Sequence, residues 1–138
     1  MSKFLGGFFR VAVVVFLLPG AALQAGEKAL YFITPKDGAT VSNPVTVRFG
    51  LRGMGVAPAG VAKPNTGHHH LLIDVEELPP LDQPVPKDER HRHFGGGQTE
   101  TTIQLTPGKH TLQLLLGDQN HVPHDPPLVS EKITITVK

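Results

Sequence analysis

Histidine is the residue type in this chain whose placement offers chemistry. Three histidines, His68, His69 and His70, run directly into an apolar segment within the stretch GHHHLLIDV at residues 67–75. A neutral imidazole is a good ligand for copper(II), zinc(II) and nickel(II), but one ring cannot complete the coordination sphere of such an ion. A metal site at the triplet therefore needs further histidines, and the downstream chain supplies His91, His93, His121 and His124.

The sequence around these histidines has the pattern of β-strands. Apolar and polar residues alternate along residues 45–51, and this period of two is typical of a half-buried strand. No segment carries a helical repeat, so we expect an all-β protein: a single immunoglobulin-like antiparallel β-sandwich of about seven strands with long loops at one end. The clearest strands are predicted at residues 29–33, 45–51, 69–75, 98–105, 110–116 and 128–137.

The topology of such a sandwich predicts that the histidines meet. In a Greek-key arrangement the loops before strand 69–75 and after strand 110–116 share one end of the domain. Residues 106–109 read as a tight hairpin turn, which would make strand 98–105 antiparallel to 110–116 and start it at the same end. Seven of the eight histidines would then converge, with His110 at the other end. The residues predicted to bind the metal are His68, His70, His93, His121 and His124.

The ion expected at this site is copper(II) or zinc(II), with no organic cofactor. Side chains alternate along a strand, so His68 and His70 point to one face and His69 to the other. Carboxylates at Glu100, Asp118 and Asp125 could also bind the ion or orient the rings. The chain has no cysteine, which excludes thiolate ligands and thiol catalysis and argues against a dedicated copper(I) site.

Two other interpretations stay open for the histidines. They could be structural, bonded to loop carbonyls, or form an ordinary solvated surface. The protein could also be a recognition module that binds a protein or cell-envelope glycan through its loops at residues 76–97 and 117–127. Enzyme function is not expected, because a metal-dependent hydrolase would need a general base that the sequence does not place, and the serines lack a nucleophile elbow.

Residues 1–25 carry the features of a secretory signal peptide. Lys3 and Arg10 accompany the apolar run VAVVVFLL at residues 11–18, which is shorter than the roughly 20 residues that a membrane span requires. We expect cleavage after Ala25, leaving one periplasmic or secreted domain at residues 26–138 without stable membrane insertion. An uncleaved N-terminal anchor is the alternative.

The charge of the remaining domain argues against polyanionic partners. Cleavage removes two of the 13 basic residues and none of the 12 acidic ones, which leaves a net charge of −1 with neutral histidines. A nucleic-acid partner or an anionic membrane surface would call for a basic face. We therefore expect the partner to be a metal ion or an envelope protein or glycan.

Three long motifs resemble a family of bacterial exported proteins catalogued as domain of unknown function 4399. They are GHHHLLIDV, HFGGGQTETT and PGKHTLQLLLGDQNHVPHDPPLVSEKITITV, and with them the resemblance extends over most of the chain after residue 30. It implies a small secreted or periplasmic domain. It implies no activity and no binding residues, so the metal hypothesis depends on the histidines alone.

Overall fold

A computed structural model of the protein describes residues 26–138, and the predicted signal peptide lies outside them. Within that range the chain forms nine β-strands and no helix, which confirms the all-β prediction. The strands are β1 (Ala29–Thr34), β2 (Thr40–Val41), β3 (Val45–Arg52), β4 (Gly55–Val56), β5 (Thr66–Ile73), β6 (His91–His93), β7 (Glu100–Ile103), β8 (Gly108–Gly117) and β9 (Ile133–Val137).

The strands are arranged in two sheets. The first contains β1, β3 and β7 in that order, and its pairs are antiparallel. The second has the order β2-β9-β8-β5-β4, and β6 pairs with the edge of β5 that β8 leaves free. Two short pairs, β2 with β9 and β4 with β5, are parallel, so this sheet is mixed rather than purely antiparallel. The two-sheet arrangement is compatible with the immunoglobulin-like prediction.

One apolar core lies between the two sheets. Alternation along β3 points every second side chain inwards, and the same period holds on β8 and β9 of the facing sheet. Burial of these aliphatic and aromatic side chains is the main stabilising contribution to the fold. The best-buried members include Val45, Val47, Phe49, Leu71, Leu112, Leu114, Leu116, Ile135 and Val137.

The prediction that residues 106–109 form a β-hairpin turn is wrong. The strands on either side, β7 and β8, belong to different sheets, and β7 pairs with β3 while β8 pairs with β5 and β9. The connection therefore crosses from one sheet to the other, so that Ile103 and Leu112 enter the same core from opposite sides. A Thr-Pro-Gly turn signal is the same for both kinds of connection, and the sequence alone did not separate them.

The second sheet also has a covered outer face. Two segments, which we call the covering segments, lie over it at residues 74–90 and 118–132. A small apolar cluster forms beneath them, where Val85 packs on Leu72 and Leu115 of the sheet. A hydrogen bond of 2.9 Å from the Val85 amide to the His121 carbonyl joins the two segments. As a result, β5 has buried side chains on both of its faces.

Residues 26–138 contain no helix with the length and apolar character that a membrane span needs.

Candidate metal centre

The histidine triplet lies inside β5, where the strand separates its members onto two faces. His68 and His70 share the outer face with Leu72, whereas His69 lies on the inner face with Leu71 and Ile73. All three histidines are buried, with exposed fractions of 0%, 0% and 1% for His68, His69 and His70. The inner ring of His69 packs against Phe49, with ring centroids 5.0 Å apart. The predicted alternation of the triplet is therefore correct.

The short strand β6 brings His93 to the same outer face. His93 is the direct partner of His70 in the antiparallel ladder between β5 and β6. Directly opposite residues of an antiparallel pair project to the same side of the sheet. The two ring centroids are 5.2 Å apart, and that of His93 lies 5.0 Å from His68.

The second covering segment supplies His121 through a tight turn after β8. The Asp118 side chain closes this turn, because its Oδ1 accepts hydrogen bonds from the backbone N–H groups of Asn120 and Val122. His121 itself has a left-handed backbone with a φ of 68°, which histidine adopts more readily than most residues. Its ring reaches His68, and His121 Nδ1 lies 3.1 Å from His68 Nε2.

These contacts gather four imidazoles around one point. One ring nitrogen from each of His68, His70, His93 and His121 lies within 4.8 Å of the other three. The group lies over the outer face of the second sheet near the start of β5, beneath the covering segments, rather than in open loops at the end of the sandwich. His68 and His70 form its buried floor, and the half-buried His93 and His121 connect it to the surface.

Two glycines leave the space that the rings occupy. Gly117 of β8 is paired with His68, and a Cβ at that position would lie 2.7 Å from His70 Cε1. Real Cβ atoms do not approach so closely, so alanine at this position would displace the His70 ring. A Cβ at Gly95 would similarly collide with the ring of His93. Gly117 is a site residue that the sequence does not reveal, because its one signal is its place at the end of a strand.

Burial and mutual repulsion favour the neutral form of His68, His70 and His93. Burial is the main cause that lowers the pKa of His68 to about 4 and that of His70 to about 3. The neighbouring His93 and His121 lower both values further, because positive charges would repel one another here. Burial also lowers the pKa of His93. Neutral imidazole has a free nitrogen lone pair, and this is the form that binds a metal ion.

Several ring nitrogens of the group are buried without a hydrogen-bond partner among residues 26–138. They are His68 Nδ1, His70 Nδ1, His70 Nε2 and His93 Nε2. Leaving a buried polar group unpaired costs about 1–3 kcal/mol, and buried polar atoms without any partner are uncommon in folded proteins. The predicted structural role, with rings bonded to loop carbonyls, does not describe these nitrogens. A ring nitrogen without a partner is free to act as a metal ligand, and each ring can offer one such atom.

His124, the fifth predicted ligand, lies apart from this group in the described part of the chain. Its Nε2 is 2.8 Å from the position that a Cβ of Gly67 would take, next to Leu116 Cδ2 of the core. Because side chains alternate along β5, that direction is opposite to the one in which His68 points. His124 therefore lies on the inner side of β5. The left-handed turn at His121 makes the two histidines diverge although only three positions separate them.

The remaining histidines have partners of their own. His91 Nδ1 lies 2.9 Å from Asp88 Oδ1, so this ring is held beside the group rather than in it. His110 lies beyond the far end of β5, where its Nδ1 is 2.7 Å from Asp74 Oδ2 and its Nε2 is 2.8 Å from the Thr106 carbonyl. The prediction that His110 sits apart from the other histidines agrees with this position.

The predicted carboxylate neighbours have other roles. Glu100 pairs with Arg48 on the first sheet, at 2.8 Å between Arg48 Nε and Glu100 Oε2. Asp125 is exposed beside His124. Asp118 is the one that affects the group: its side chain shapes the turn of His121, and its negative charge partly offsets the lowering of the His68 pKa that burial causes.

The fold and the site together define a class: a small all-β domain of two sheets that holds four imidazoles against the outer face of one of them. The chain matches the model of the family described as "Domain of unknown function (DUF4399)" over residues 47–138. This match covers more than half of the chain and includes all four clustered histidines, so the protein belongs to the DUF4399 family. No curated protein and no solved structure matches the chain.

Proposed function

We propose that this protein binds one transition-metal ion, copper(II) or zinc(II), through His68, His70, His93 and His121. The observation that carries the proposal is the convergence of four ring nitrogens within 4.8 Å of one another. These nitrogens come from three separate segments: β5, β6 and the second covering segment. A chance surface cluster would not be expected to bury two of its four rings completely.

The chemistry of the donors supports the same function. Imidazole nitrogen suits copper, zinc and nickel, and carboxylate or carbonyl oxygen would instead favour magnesium or calcium. His68 and His70 need not release a proton to bind an ion at neutral pH, because burial lowers their pKa values to about 4 and about 3. An ion takes one nitrogen from each ring, so it would pair one of the two His70 nitrogens that otherwise lack partners among residues 26–138.

The direct test is a calorimetric titration of the metal-stripped protein with zinc(II) and copper(II). We expect a stoichiometry of one ion per chain and a rise in melting temperature, since a ligand that binds the folded state stabilises it by mass action. His93→Ala should abolish or strongly weaken binding. The matched control is His91→Ala on the same strand, which removes an imidazole outside the group and should bind as the wild type does. Absence of binding at micromolar metal would refute the proposal.

A second candidate function is recognition of an envelope protein or glycan, and a cavity beside the histidines favours it. The cavity has a volume of about 530 Å³, within the usual range of ligand sites. It opens between β6 and β7 and is lined by charged and polar side chains of the first covering segment together with Phe94. Lys87, Glu89 and Arg92 could form hydrogen bonds to a glycan or a peptide.

Binding to isolated peptidoglycan separates this function from metal binding. A recognition module should sediment with peptidoglycan, lose this binding on Arg92→Ala, and keep it in the presence of a metal chelator. If the protein only binds metal, it should not sediment with peptidoglycan, with or without a chelator. Arg92 is exposed and its side chain contacts the Glu89 carbonyl, so its removal should leave the fold intact.

We further propose that the protein works outside the cytoplasm and is not an enzyme. The signal-peptide pattern of residues 1–25 supports export. The test is fractionation of expressing cells followed by N-terminal sequencing. A periplasmic or secreted protein that begins at Gly26 is expected, and a membrane-bound chain that begins at Met1 would contradict the proposal.

A further inference from the structure

We infer that the four histidines form a closed tetrahedral site, whose geometry selects zinc(II) over the square-planar preference of copper(II). The inference rests on the proposed metal-binding function and adds to it the coordination geometry and the ion. Four rings have six distances between their centroids, and these six distances differ between a tetrahedral and a square-planar site.

An ideal tetrahedral site has a single distance between ring centroids. Zinc lies 2.0–2.1 Å from an imidazole nitrogen, and the ring centroid lies about 1.1 Å further out, so each centroid is about 3.2 Å from the ion. Four centroids at tetrahedral corners are then all about 5.2 Å apart. In a square plane the same rings would give four adjacent pairs at about 4.5 Å and two opposite pairs at about 6.4 Å.

The observed distances follow the tetrahedral pattern. Five of the six centroid pairs lie between 4.7 and 5.2 Å, and the sixth, His70 with His121, is 6.2 Å. A square plane with His70 opposite His121 would require His68 and His93 to be opposite as well. Their centroids are only 5.0 Å apart, which is the tetrahedral value. The arrangement is therefore a tetrahedron elongated along one edge.

One pair of ring nitrogens already has the spacing of a tetrahedral site, and the four ligand atoms together lie within 4.8 Å of one another. His68 Nε2 and His121 Nδ1 are 3.1 Å apart. The edge of a tetrahedron of nitrogens around zinc is about 3.3 Å, so this pair needs almost no movement to bind one ion. The ring planes of His121 are nearly perpendicular to those of His68 and His70, at 84° and 87°. His121 thus approaches from above, while His68 and His70 rise from the sheet beneath it.

The fold resists flattening of this arrangement. His68 and His70 are fixed on β5, which is paired with β8 on one edge and with β6 on the other. His93 is tied to the same ladder opposite His70. Three ligands therefore keep the spacing of the sheet, and only His121, on its turn, can adjust. Copper(II) prefers tetragonal geometry and would have to bind in a distorted form, whereas zinc(II) has no geometric preference from its filled d shell.

A closed site also indicates how the ion is used. Four protein nitrogens fill the tetrahedral sphere, as in structural zinc sites, whereas catalytic zinc keeps a position for water. Such an ion would hold the covering segments to the sheet or be stored and released, and no hydrolytic water has a place on it. A structural or stored ion of this kind fits the position of the four histidines beneath the covering segments.

Cobalt(II) is the probe that tests the geometry, because its visible spectrum reports coordination number. We expect the metal-stripped protein loaded with cobalt(II) to show the intense visible bands of a four-coordinate tetrahedral ion, and equimolar zinc(II) to abolish them. Copper(II) bound to the same site should give the electron paramagnetic resonance spectrum of a flattened tetrahedron, with a smaller hyperfine splitting than a square-planar complex. His91→Ala serves as the control variant that should leave both spectra unchanged.

The possible results separate the geometry from the function. Weak cobalt bands of a six-coordinate ion, or an ordinary tetragonal copper spectrum, would overturn the tetrahedral inference while metal binding stands. Intense bands that His121→Asn converts to a weaker or five-coordinate spectrum support it, because they show that His121 completes the sphere. If none of the three ions binds, both the inference and the proposed function fail.

Discussion

At the residue scale, His69 differs from its two neighbours in the triplet. Its ring lies in the core beside Phe49, and neither of its ring nitrogens has a hydrogen-bond partner among the described residues. Burial lowers its pKa to about 4. A polar side chain in this position destabilises the fold, and the adjoining His68 and His70 provide no compensation because they point to the other face.

We therefore predict that His69→Leu stabilises the metal-free protein. Leucine fills a similar volume without burying unpaired nitrogens, and the gain in free energy of unfolding should be about 1–3 kcal/mol. Urea unfolding at pH 7 measures it. The affinity for metal should be unchanged, since the ring faces away from the group. A clear loss of stability would show that His69 has a partner inside the core.

The same substitution should flatten the acid response of the metal-free protein. The unfolded chain binds a proton at this ring near pH 6.5, but the folded chain does so only near pH 4. Stability is therefore intact above pH 6.5 and falls as the pH drops towards 4. His68 and His70 add to this fall, because their pKa values are lowered as well. Unfolding midpoints measured from pH 7 to pH 4.5 should decline less steeply for His69→Leu than for the wild type.

His110 shows the opposite behaviour. Burial tends to lower its pKa, but hydrogen bonds to the Asp74 carboxylate and the Thr106 carbonyl, with the charge of Asp74, raise it above the ordinary value. Both ring nitrogens face acceptors, so the protonated ring satisfies them best. Its stabilising contribution is present below pH 6.5 and is lost as the pH rises through the raised pKa.

We predict that His110→Gln removes this dependence on alkaline pH. The difference in unfolding free energy between wild type and variant should be largest at pH 6 and should shrink by pH 9. Metal affinity should not change, because His110 lies beside the end of β5, whereas the four clustered histidines lie near its start. A wild-type advantage that grows with rising pH would contradict the assigned ion pair.

At the scale of elements, three features decide which histidines meet: the alternation on β5, the short strand β6 and the turn that carries His121. Alternation on β5 could be predicted from sequence, and it correctly separated His68 and His70 from His69. The position of His93 was predicted from its place before a strand, yet what fixes it is β6, which spans three residues and pairs with β5. Three residues cannot show a hydrophobic period, so the 76–97 stretch looked structureless.

The turn that carries His121 explains why the ring of His124 does not lie with the ring of His121. Both lie in one loop after β8, and loop membership alone predicts that both rings face the same end. The left-handed backbone at His121 and the turn closed by Asp118 send the chain back along the end of β8, where Pro123 pairs with Gly117. Neither feature has a sequence signature as specific as a glycine or a proline, so spacing could not distinguish the two histidines.

A matched pair of substitutions tests this difference. We predict that His121→Asn weakens metal binding at least about tenfold, equivalent to about 1.4 kcal/mol, because one of four ligands is lost. Asparagine tolerates the left-handed backbone, so the turn should persist. His124→Asn should bind metal as the wild type does, since that ring lies on the other side of β5. An equal loss in both variants would return His124 to the ligand set.

At the scale of the whole molecule, the proposed ion would join three segments that are distant in sequence: β5, β6 and the second covering segment. The covering segments rest on a small apolar cluster centred on Leu72, Val85 and Leu115, and β6 pairs with the sheet over only three residues. Such a region is expected to open locally at low cost. An ion bound by His93 and His121 would hold β6, which directly follows the first covering segment, and the second covering segment against β5.

Metal should therefore protect the first covering segment from trypsin. Lys87 and Arg90 are exposed cleavage sites next to β6, and cleavage there requires the segment to leave the sheet. We expect zinc(II) to slow this cleavage in the wild type, measured by mass spectrometry of the fragments, and to have no effect on His93→Ala. Equal protection in the variant would mean that zinc acts elsewhere on the protein.

Zinc K-edge X-ray absorption of the purified protein loaded with one equivalent of zinc tests the central claim most directly. The spectrum should fit four nitrogen donors at about 2.0–2.1 Å with the outer-shell scattering of imidazole rings. His91→Ala should give the same spectrum. A fit that requires two or fewer imidazoles, or a shell made mainly of oxygen, would contradict the assignment of these four histidines as one metal centre.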